Sequence, residues 1–311
     1  MQNLIQHSLG HGITCIDAQY VRPGLASCYL IEQNGHAAFI DVGTNHTVPL
    51  LLAVLEQKGI PPGNIDYVIP THVHLDHAGG AGLLMQHAPN AQLIIHPRGA
   101  RHMVDPSRLQ AGATAVYGDV EFKRHYGELI GIDEQRVVAA ADHQKISFQS
   151  RELEFLHTPG HAKHHFCIID KTSNGMFTGD TFGAAYPELT VNQHAFVFPP
   201  TSPVDFNPSD WLDSIDKLMA TGCDRAYLTH YNQVGNLESL ANDLRKRIRL
   251  FAQLSQQSTS DTMLYEKIEH YLVEEVVTSG CRLTKAEIIK ILSLDIGIIV
   301  QGLRVWLEKN A

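Results

Sequence analysis

Within six residues, His72-Val73-His74-Leu75-Asp76-His77, the chain carries three imidazoles and a carboxylate. In extended backbone, side chains two apart project to the same side. His72 and His74 can therefore meet one cation. Asp76 and His77 come after the chain turns and can face a second cation nearby. Imidazole and carboxylate are the donors expected for zinc, iron or manganese. The surroundings agree. Ile65 to Ile69 is a short apolar run that reads as a buried strand, and the donors lie on the loop beyond it. Gly79-Gly80 then lets the backbone turn sharply into the next helix. The competing reading is a polar loop that holds histidines by chance. Three histidines and an aspartate in six residues weigh against it.

The rest of the chain constrains the partners of this run. Ser27 to Glu32 and Ala37 to Val42 are β-rich runs separated by Asn34-Gly35, a hairpin signal because both residues tolerate positive φ. Thr47 to Lys58 has helical periodicity and stops at Gly59. Leu83-Leu84-Met85 predicts a short helix and Gln92 to Ile95 a strand. Residues 98–135 have weak patterning and read as helical pieces joined by loops. Strands are expected at Arg136 to Ala139, Lys145 to Phe148, Glu152 to His157, His165 to Ile169, Met176 to Thr178 and Ala226 to Thr229. Ser209 to Met219 reads as an amphipathic helix with Asn207 and Pro208 at its start. After about Leu237 the chain reads as almost wholly helical, with a polar break at Ser255 to Asp261. Thr284 and Glu287 have capping-box spacing. These patterns divide the chain into a main domain, residues 1–249, and a C-terminal helical appendage, residues 250–311.

Composition narrows the function. The net charge of −9 argues against a nucleic-acid binder, yet leaves room for a local basic pocket that takes an acidic substrate. Nineteen histidines point to metal or acid–base chemistry. Cys15, Cys28, Cys167, Cys223 and Cys281 are odd in number, widely spaced and without a C-x-x-C pair. They are expected to be free thiols in a reducing compartment. The stretch Met1 to Gln6 has no basic segment followed by an apolar one, so no secretory signal is expected. No apolar window has the length of a membrane span. A cytoplasmic location without membrane attachment follows as the expectation.

The histidine run resembles the H-x-H-x-D-H signature of the metallo-β-lactamase superfamily, whose members include glyoxalase II-like dinuclear metallohydrolases. Thr158-Pro159-Gly160-His161 resembles its third-histidine motif. Phe177-Thr178-Gly179-Asp180-Thr181 resembles its bridging-aspartate motif, and Tyr227-Leu228-Thr229-His230 its last histidine. Each follows a run read above as a strand. Ile40-Asp41-Val42-Gly43-Thr44 resembles an early strand-end motif whose aspartate supports the metal loop. The resemblance covers roughly residues 20–235. It implies an α/β fold, a four-layer αββα sandwich with metals at one edge, beside which the C-terminal helices would narrow the substrate entrance.

Carried over by position, the resemblance implies that His72, His74 and His161 hold one divalent metal ion and that Asp76, His77 and His230 hold a second, with Asp180 between them. Zinc is the expected metal, with iron or manganese as alternatives. Two cations about 3.5–4 Å apart would share a bridging hydroxide that attacks a small carbonyl substrate, an ester, thioester or lactone. Asp76 would also orient that hydroxide, which makes it the expected catalytic residue. A phosphodiesterase or nuclease of the same fold, a di-iron redox protein and a non-catalytic metal-binding scaffold are the alternatives. Against the redox reading, histidine stands at position 74, where flavodiiron proteins carry glutamate, and the tail is too short for a flavodoxin.

Several further residues have two readings. His164 and His165 either reach the pocket or simply begin a strand, with the strand preferred. Lys163 meets a substrate carboxylate or, preferred, stays solvated. Tyr186, Phe196 and Phe198 are candidate pocket walls or core. Tyr231 reaches the site or only the core.

Overall fold

Alternation of side chains along the strands decides the architecture of this protein, here a computed structural model that describes residues 4–310, without the side chains of Val116 and Tyr117. Met1 to Asn3 of the stretch read for a signal, and Ala311 of the appendage, lie outside the described residues. Seven strands form one sheet: β1 (Gln6–Gly10), β2 (Ile13–Asp17), β3 (Ser27–Gln33), β4 (His36–Ile40), β5 (Ile65–Ile69), β6 (Gln92–Ile95) and β7 (Val137–Ala139). They pair in chain order, antiparallel up to β4 and parallel beyond it. The second sheet holds β8 (Lys145–Phe148), β9 (Arg151–His157), β10 (Phe166–Asp170), β11 (Gly175–Gly179), β12 (Arg225–Leu228) and β13 (Asn232–Val234), also in chain order. There only β11 and β12 are parallel.

Both faces of each sheet are covered. Tyr29 and Ile31 of β3 and Ile40 of β4 share an inner cluster with Phe155, Phe166, Ile168 and Phe177 of the facing strands. Their neighbours Cys28 and Leu30 point the other way, as do Cys167 and Ile169 of β10. They join the cluster built with the helices. Those helices are α1 (Val48–Gln57), α2 (Leu75–Ala78), α3 (Ala81–His87), α4 (Pro97–Val104), α5 (Ser107–Tyr117), α6 (Asp119–Tyr126), α7 (Pro208–Met219), α8 (Leu237–Gln256), α9 (Asp261–Thr278) and α10 (Lys285–Asn310). Leu51 and Val54 of α1 and Trp211 and Ile215 of α7 belong to this cluster. The layers are therefore helices, sheet, sheet and helices. Burial on both faces explains why β3 and β10 lack a clean alternation of apolar and polar residues.

Local chemistry sets the boundaries. Asn34 and Gly35 both have positive φ, 53° and 75°, as a tight hairpin turn between β3 and β4 requires. Gly59 follows the cap of α1 with φ 67°. At the start of α10, Glu287 accepts from the Thr284 backbone N–H at 2.8 Å while Thr284 Oγ1 accepts from the Glu287 N–H at 3.3 Å, a reciprocal capping box. Three strands depart from the sequence reading, which placed none at β1, β2 or β13. β1 is a largely exposed polar edge, and β13 has three residues. Residues 98–135 hold parts of three helices, α4 to α6.

The C-terminal helices are part of the same core. α8 runs unbroken through residues 249 and 250, so a boundary there falls inside one helix. Its Leu240, Leu244 and Ile248 share the large cluster with Leu30, Leu228 and, from α10, Ile296 and Ile299. Among the described residues, no helix is long and apolar enough to cross a membrane.

Candidate metal centre

Every expected donor sits where a strand of the sandwich stops. β5 ends at Ile69, and Thr71 is fastened at once: its backbone N–H and its hydroxyl both donate to Asp41, at 2.7 and 3.0 Å to Oδ1. The backbone bends through His72 and Val73 rather than running extended as expected, His74 itself has extended dihedrals (φ −60°, ψ 147°), and α2 opens immediately after it. Its first turn carries Asp76 and His77 round to a second position, as the spacing requires. His161 follows β9 through Gly160, whose φ is 125° and where a Cβ would lie 2.4 Å from the Trp211 backbone. Asp180 follows β11 through Gly179, at φ 48°. A Cβ on Gly179 would lie 2.5 Å from His165 Nε2 and 2.6 Å from Thr71 Oγ1, so only glycine fits. His230 follows β12.

The seven side chains converge as two groups: His72, His74, His161 and Asp180, and beside them Asp76, His77 and His230. In the first, His74 Nδ1 lies 2.8 Å from His72 Nε2 and 3.0 Å from His161 Nε2. Asp180 Oδ2 is 3.2 Å from His161 Nε2. Donors around a tetrahedral zinc, each about 2.0–2.1 Å from it, stand about 3.3 Å apart, close to this spacing. In the second group Asp76 Oδ2 is 3.5 Å from His77 Nε2 and 3.4 Å from His230 Nε2. Asp180 Oδ1 faces the same two nitrogens at 3.3 and 3.6 Å. The two oxygens of Asp180 thus divide between the groups.

The remaining ring nitrogens fix which lone pairs point inward. His77 Nδ1 donates to Asp41 Oδ2 at 2.9 Å, His161 Nδ1 to the Pro200 carbonyl at 2.6 Å and His230 Nδ1 to the Leu25 carbonyl at 2.8 Å. The Thr71 hydroxyl gives its proton to Asp41, so it accepts from His72 Nδ1 at 3.1 Å. In each case the Nε2 lone pair is left facing the centre, which is how a protein prepares an imidazole for a metal. Asp41 also accepts from Thr229 Oγ1 at 2.6 Å, so one carboxylate ties the ends of strands in both sheets.

Electrostatics separates the groups. Burial, reinforced by neighbouring imidazoles, holds His72 and His74 well below the usual histidine range and His161 at about 3. These rings are neutral and free to donate. Burial alone would also lower His77 and His230. The carboxylates of Asp180 and Asp76, joined at His77 by Asp41, overturn it and push them up to about 10 and about 9. Asp76 is driven the opposite way: burial would raise it, but His77 and His230 hold it far below the carboxylate range. The carboxylates that favour a proton on His77 and His230 also favour a metal cation beside those two rings. His77 Nε2 and Asp180 Oδ1 are buried, 3.3 Å apart and without hydrogen-bond partners. A cation between them satisfies both. The residues present therefore fit two metal ions.

The sequence profile of the metallo-β-lactamase superfamily matches residues 21–230, more than half of the chain. The chain belongs to the metallo-β-lactamase superfamily. Among the relatives it resembles is the metallo-β-lactamase fold-containing protein ST1585 of Sulfurisphaera tokodaii, 25% identical over 199 residues, which are 63% of this chain and 68% of that one. The solved structure of ST1585 superposes over 94% of this chain and 98% of that one, with TM-score 0.63 and 19% identity. Hydroxyacylglutathione hydrolase of Aeromonas salmonicida is 25% identical over 238 residues, 74% of this chain and 72% of that one. The metallo-β-lactamase family protein TTHA1429 of Thermus thermophilus shares the fold, with TM-score 0.64 and 16% identity over 97% of this chain and 95% of that one.

Other residues of this superfamily member sort themselves by contact. His165 is fully buried and is neither a donor nor a mere strand residue. Its Nε2 accepts from the Asp180 backbone N–H at 3.2 Å, and its Nδ1 meets Thr158 and Thr181 hydroxyls. It holds the turn that aims Asp180. His164 lies beside His74, with ring centres 5.4 Å apart, on the wall of a cavity. Lys163 is exposed at the same cavity. Tyr186, Phe196 and Phe198 are core residues rather than pocket walls, and Tyr231 is buried in the inner cluster while lining a different cavity. Tyr186 donates to Asp295 of α10 at 2.9 Å, and Phe196 lies under the Arg247 guanidinium at 4.2 Å. The proline-rich loop reaches the site by its backbone instead, through Pro200 and through Ser202 Oγ, which donates to the His161 carbonyl at 2.6 Å. Sequence reasoning missed Thr71, Thr229, Arg98 and Arg101. The arginines stand three apart on α4, inside the segment with the weakest patterning.

Proposed function

We propose that this chain is a dinuclear metal-dependent hydrolase of small carbonyl compounds, an ester, thioester or lactone. The observation that carries the reading is the division of Asp180, with one oxygen toward His161 and the other toward His77 and His230. A carboxylate shared in this way suits two cations side by side. Bound there, a metal pair supplies an activated water near neutral pH and stabilises negative charge on the attacked oxygen. Zinc is the metal proposed, because four nitrogen and oxygen donors at tetrahedral spacing suit it.

The chain's own side chains prepare the chemistry. Thr71, Asp41, Pro200 and Leu25 fix the rings, so little reorganisation remains when substrate arrives. Asp76 is the ligand carboxylate with the most exposure, 25% of its side chain. Held ionised by His77 and His230, it accepts a hydrogen bond from an incoming water and so aims an oxygen lone pair at the carbonyl carbon. His74 is half-buried and lines a cavity of about 620 Å³, large enough for a small organic substrate. The hydroxyacylglutathione hydrolase among the relatives, named for an acyl substrate, supports the same reaction class. All five cysteines are free, which suits the reducing, cytoplasmic location included in this proposal.

A panel of esters, thioesters and lactones tests the reading. Hydrolysis of at least one carbonyl class, abolished in His74→Ala, is the expected result. Metal-loaded protein that hydrolyses none of them while cleaving phosphodiesters overturns it.

A further inference from the structure

Beside His74 the surface opens into a cavity whose charge contradicts that of the whole chain. The net charge is −9, yet the walls carry Arg98, Arg101 and Lys163 against one carboxylate, Asp205. Lys163 Nζ stands 4.0 Å from Asp205 Oδ1, a loose pairing. Among the described residues, Arg98 and Arg101 form no ion pair. Arg101 instead donates to His102 Nε2 at 3.3 Å, which turns another cavity side chain away from carrying a proton. Burial and the neighbouring arginines hold His102 below the usual histidine range.

The arginines do not stand alone. Val73, Leu109 and Val204 give the cavity an apolar lining, and Val204 is 66% exposed there. Apolar side chains, the imidazole of the candidate donor His74 and the guanidiniums of Arg98 and Arg101 thus line one cavity. We infer that this cavity binds a substrate whose acyl part ends in an anion, a carboxylate or a phosphate, held by Arg98 and Arg101 while the scissile carbonyl faces His74. The inference rests on the hydrolase reading and names its substrate class. Guanidinium grips such anions through paired, directional hydrogen bonds. Positive charge in a cleft of an acidic protein also concentrates anions where they are needed.

The test compares two thioesters of one shape, S-methyl thiobutanoate and S-methyl monothiosuccinate, in which a carboxylate replaces the terminal methyl. With the metal-loaded protein, kcat/KM for the succinyl compound should exceed that for the butanoyl compound about tenfold or more, mainly through KM. In Arg98→Gln/Arg101→Gln the ratio should collapse toward one. In the unaltered protein it should shrink as sodium chloride rises, which needs no variant. Hydrolysis without this preference, or a preference that survives the double substitution, overturns the inference and leaves the hydrolase reading standing. If neither thioester reacts, titration calorimetry with succinate and with inorganic phosphate decides. An anion bound by the unaltered protein and lost in the double variant supports the inference whatever the full substrate panel shows of the hydrolase reading, and the stronger of the two identifies the anion. No binding, or binding that survives the substitutions because the metals carry it, overturns it.

Discussion

The carboxylate of Asp41 stands 2.9 Å from His77 Nδ1, inside the protein and away from any substrate path. The same group takes hydrogen bonds from Thr71 and Thr229. It thereby fixes the ring of a ligand, the loop that brings His72 and His74, and the strand end that brings His230. Asp41→Asn keeps the size, and asparagine tolerates the positive φ of 51° at this position. What it removes is charge and acceptor capacity. Metal affinity should fall by roughly 10–100-fold, the usual effect of losing such a support. Competition with a chromogenic chelator measures it. Unchanged affinity would mean that Asp41 has no part in holding His77.

The last helix supports the centre from outside. Gly302 of α10 faces the loop of Thr201 and Ser202, and a Cβ there would lie 2.5 Å from Thr201 Oγ1 and 2.7 Å from the Ser202 carbonyl. That loop contacts His161 through Pro200 and Ser202. Gly302→Ala should push helix and loop apart and weaken metal binding about tenfold or more through His161. Gly297, on the same helix, has open space where a Cβ would go. Gly297→Ala should leave metal affinity alone and stabilise the protein by about 0.5–1 kcal/mol, the gain from alanine in a helix interior. Equal behaviour of the two variants in chelator competition and denaturant unfolding would remove the helix from the account.

Acid should destabilise the fold partly through His96. This residue caps α4, with Nδ1 accepting from the Arg98 N–H at 3.1 Å and its ring centre 4.1 Å from that of His157. Burial first, then His157, His164 and Arg98, push its pKa down to about 3. The unfolded chain takes up this proton near pH 6.5, and the folded chain does not. His96 therefore contributes stability that is complete above about pH 6.5 and is lost progressively as the pH falls toward 3. At pH 5 the loss from this group is at most about 2 kcal/mol, and solvent screening reduces it. Asparagine caps without titrating. Between pH 7.5 and pH 5, His96→Asn should lose less stability than the unaltered protein in denaturant titrations. Parallel losses would contradict the assignment.

Much of this molecule is written locally, and the exceptions have physical causes. The candidate donors were legible because His72, His74, Asp76 and His77 fall within six residues, and because each later one follows a strand with a recognisable apolar run. β5, β6 and β8 matched their expected residues for the same reason. β1 and β13 were not legible. A polar edge strand and a three-residue strand owe their conformation to a partner strand rather than to their own pattern. Tyr186 and Phe198 read equally as pocket wall or core, since nothing local reveals that Tyr186 bonds Asp295 of α10 or that Phe198 packs against Tyr186. The supporting role of Asp41 was readable only through the resemblance, whereas the roles of His165 and Ser202 reside in hydrogen bonds between segments far apart in sequence. The unpaired charge of Arg98 and Arg101 is likewise a property of the assembled cavity.

Elemental analysis of protein purified without added metal, then reloaded with zinc after chelation, tests the central claim most directly. The arrangement of Asp180 between two donor groups predicts about two metal ions per chain, falling to about one or fewer in Asp180→Ala. Protein that carries no metal and takes up none on reloading would contradict it.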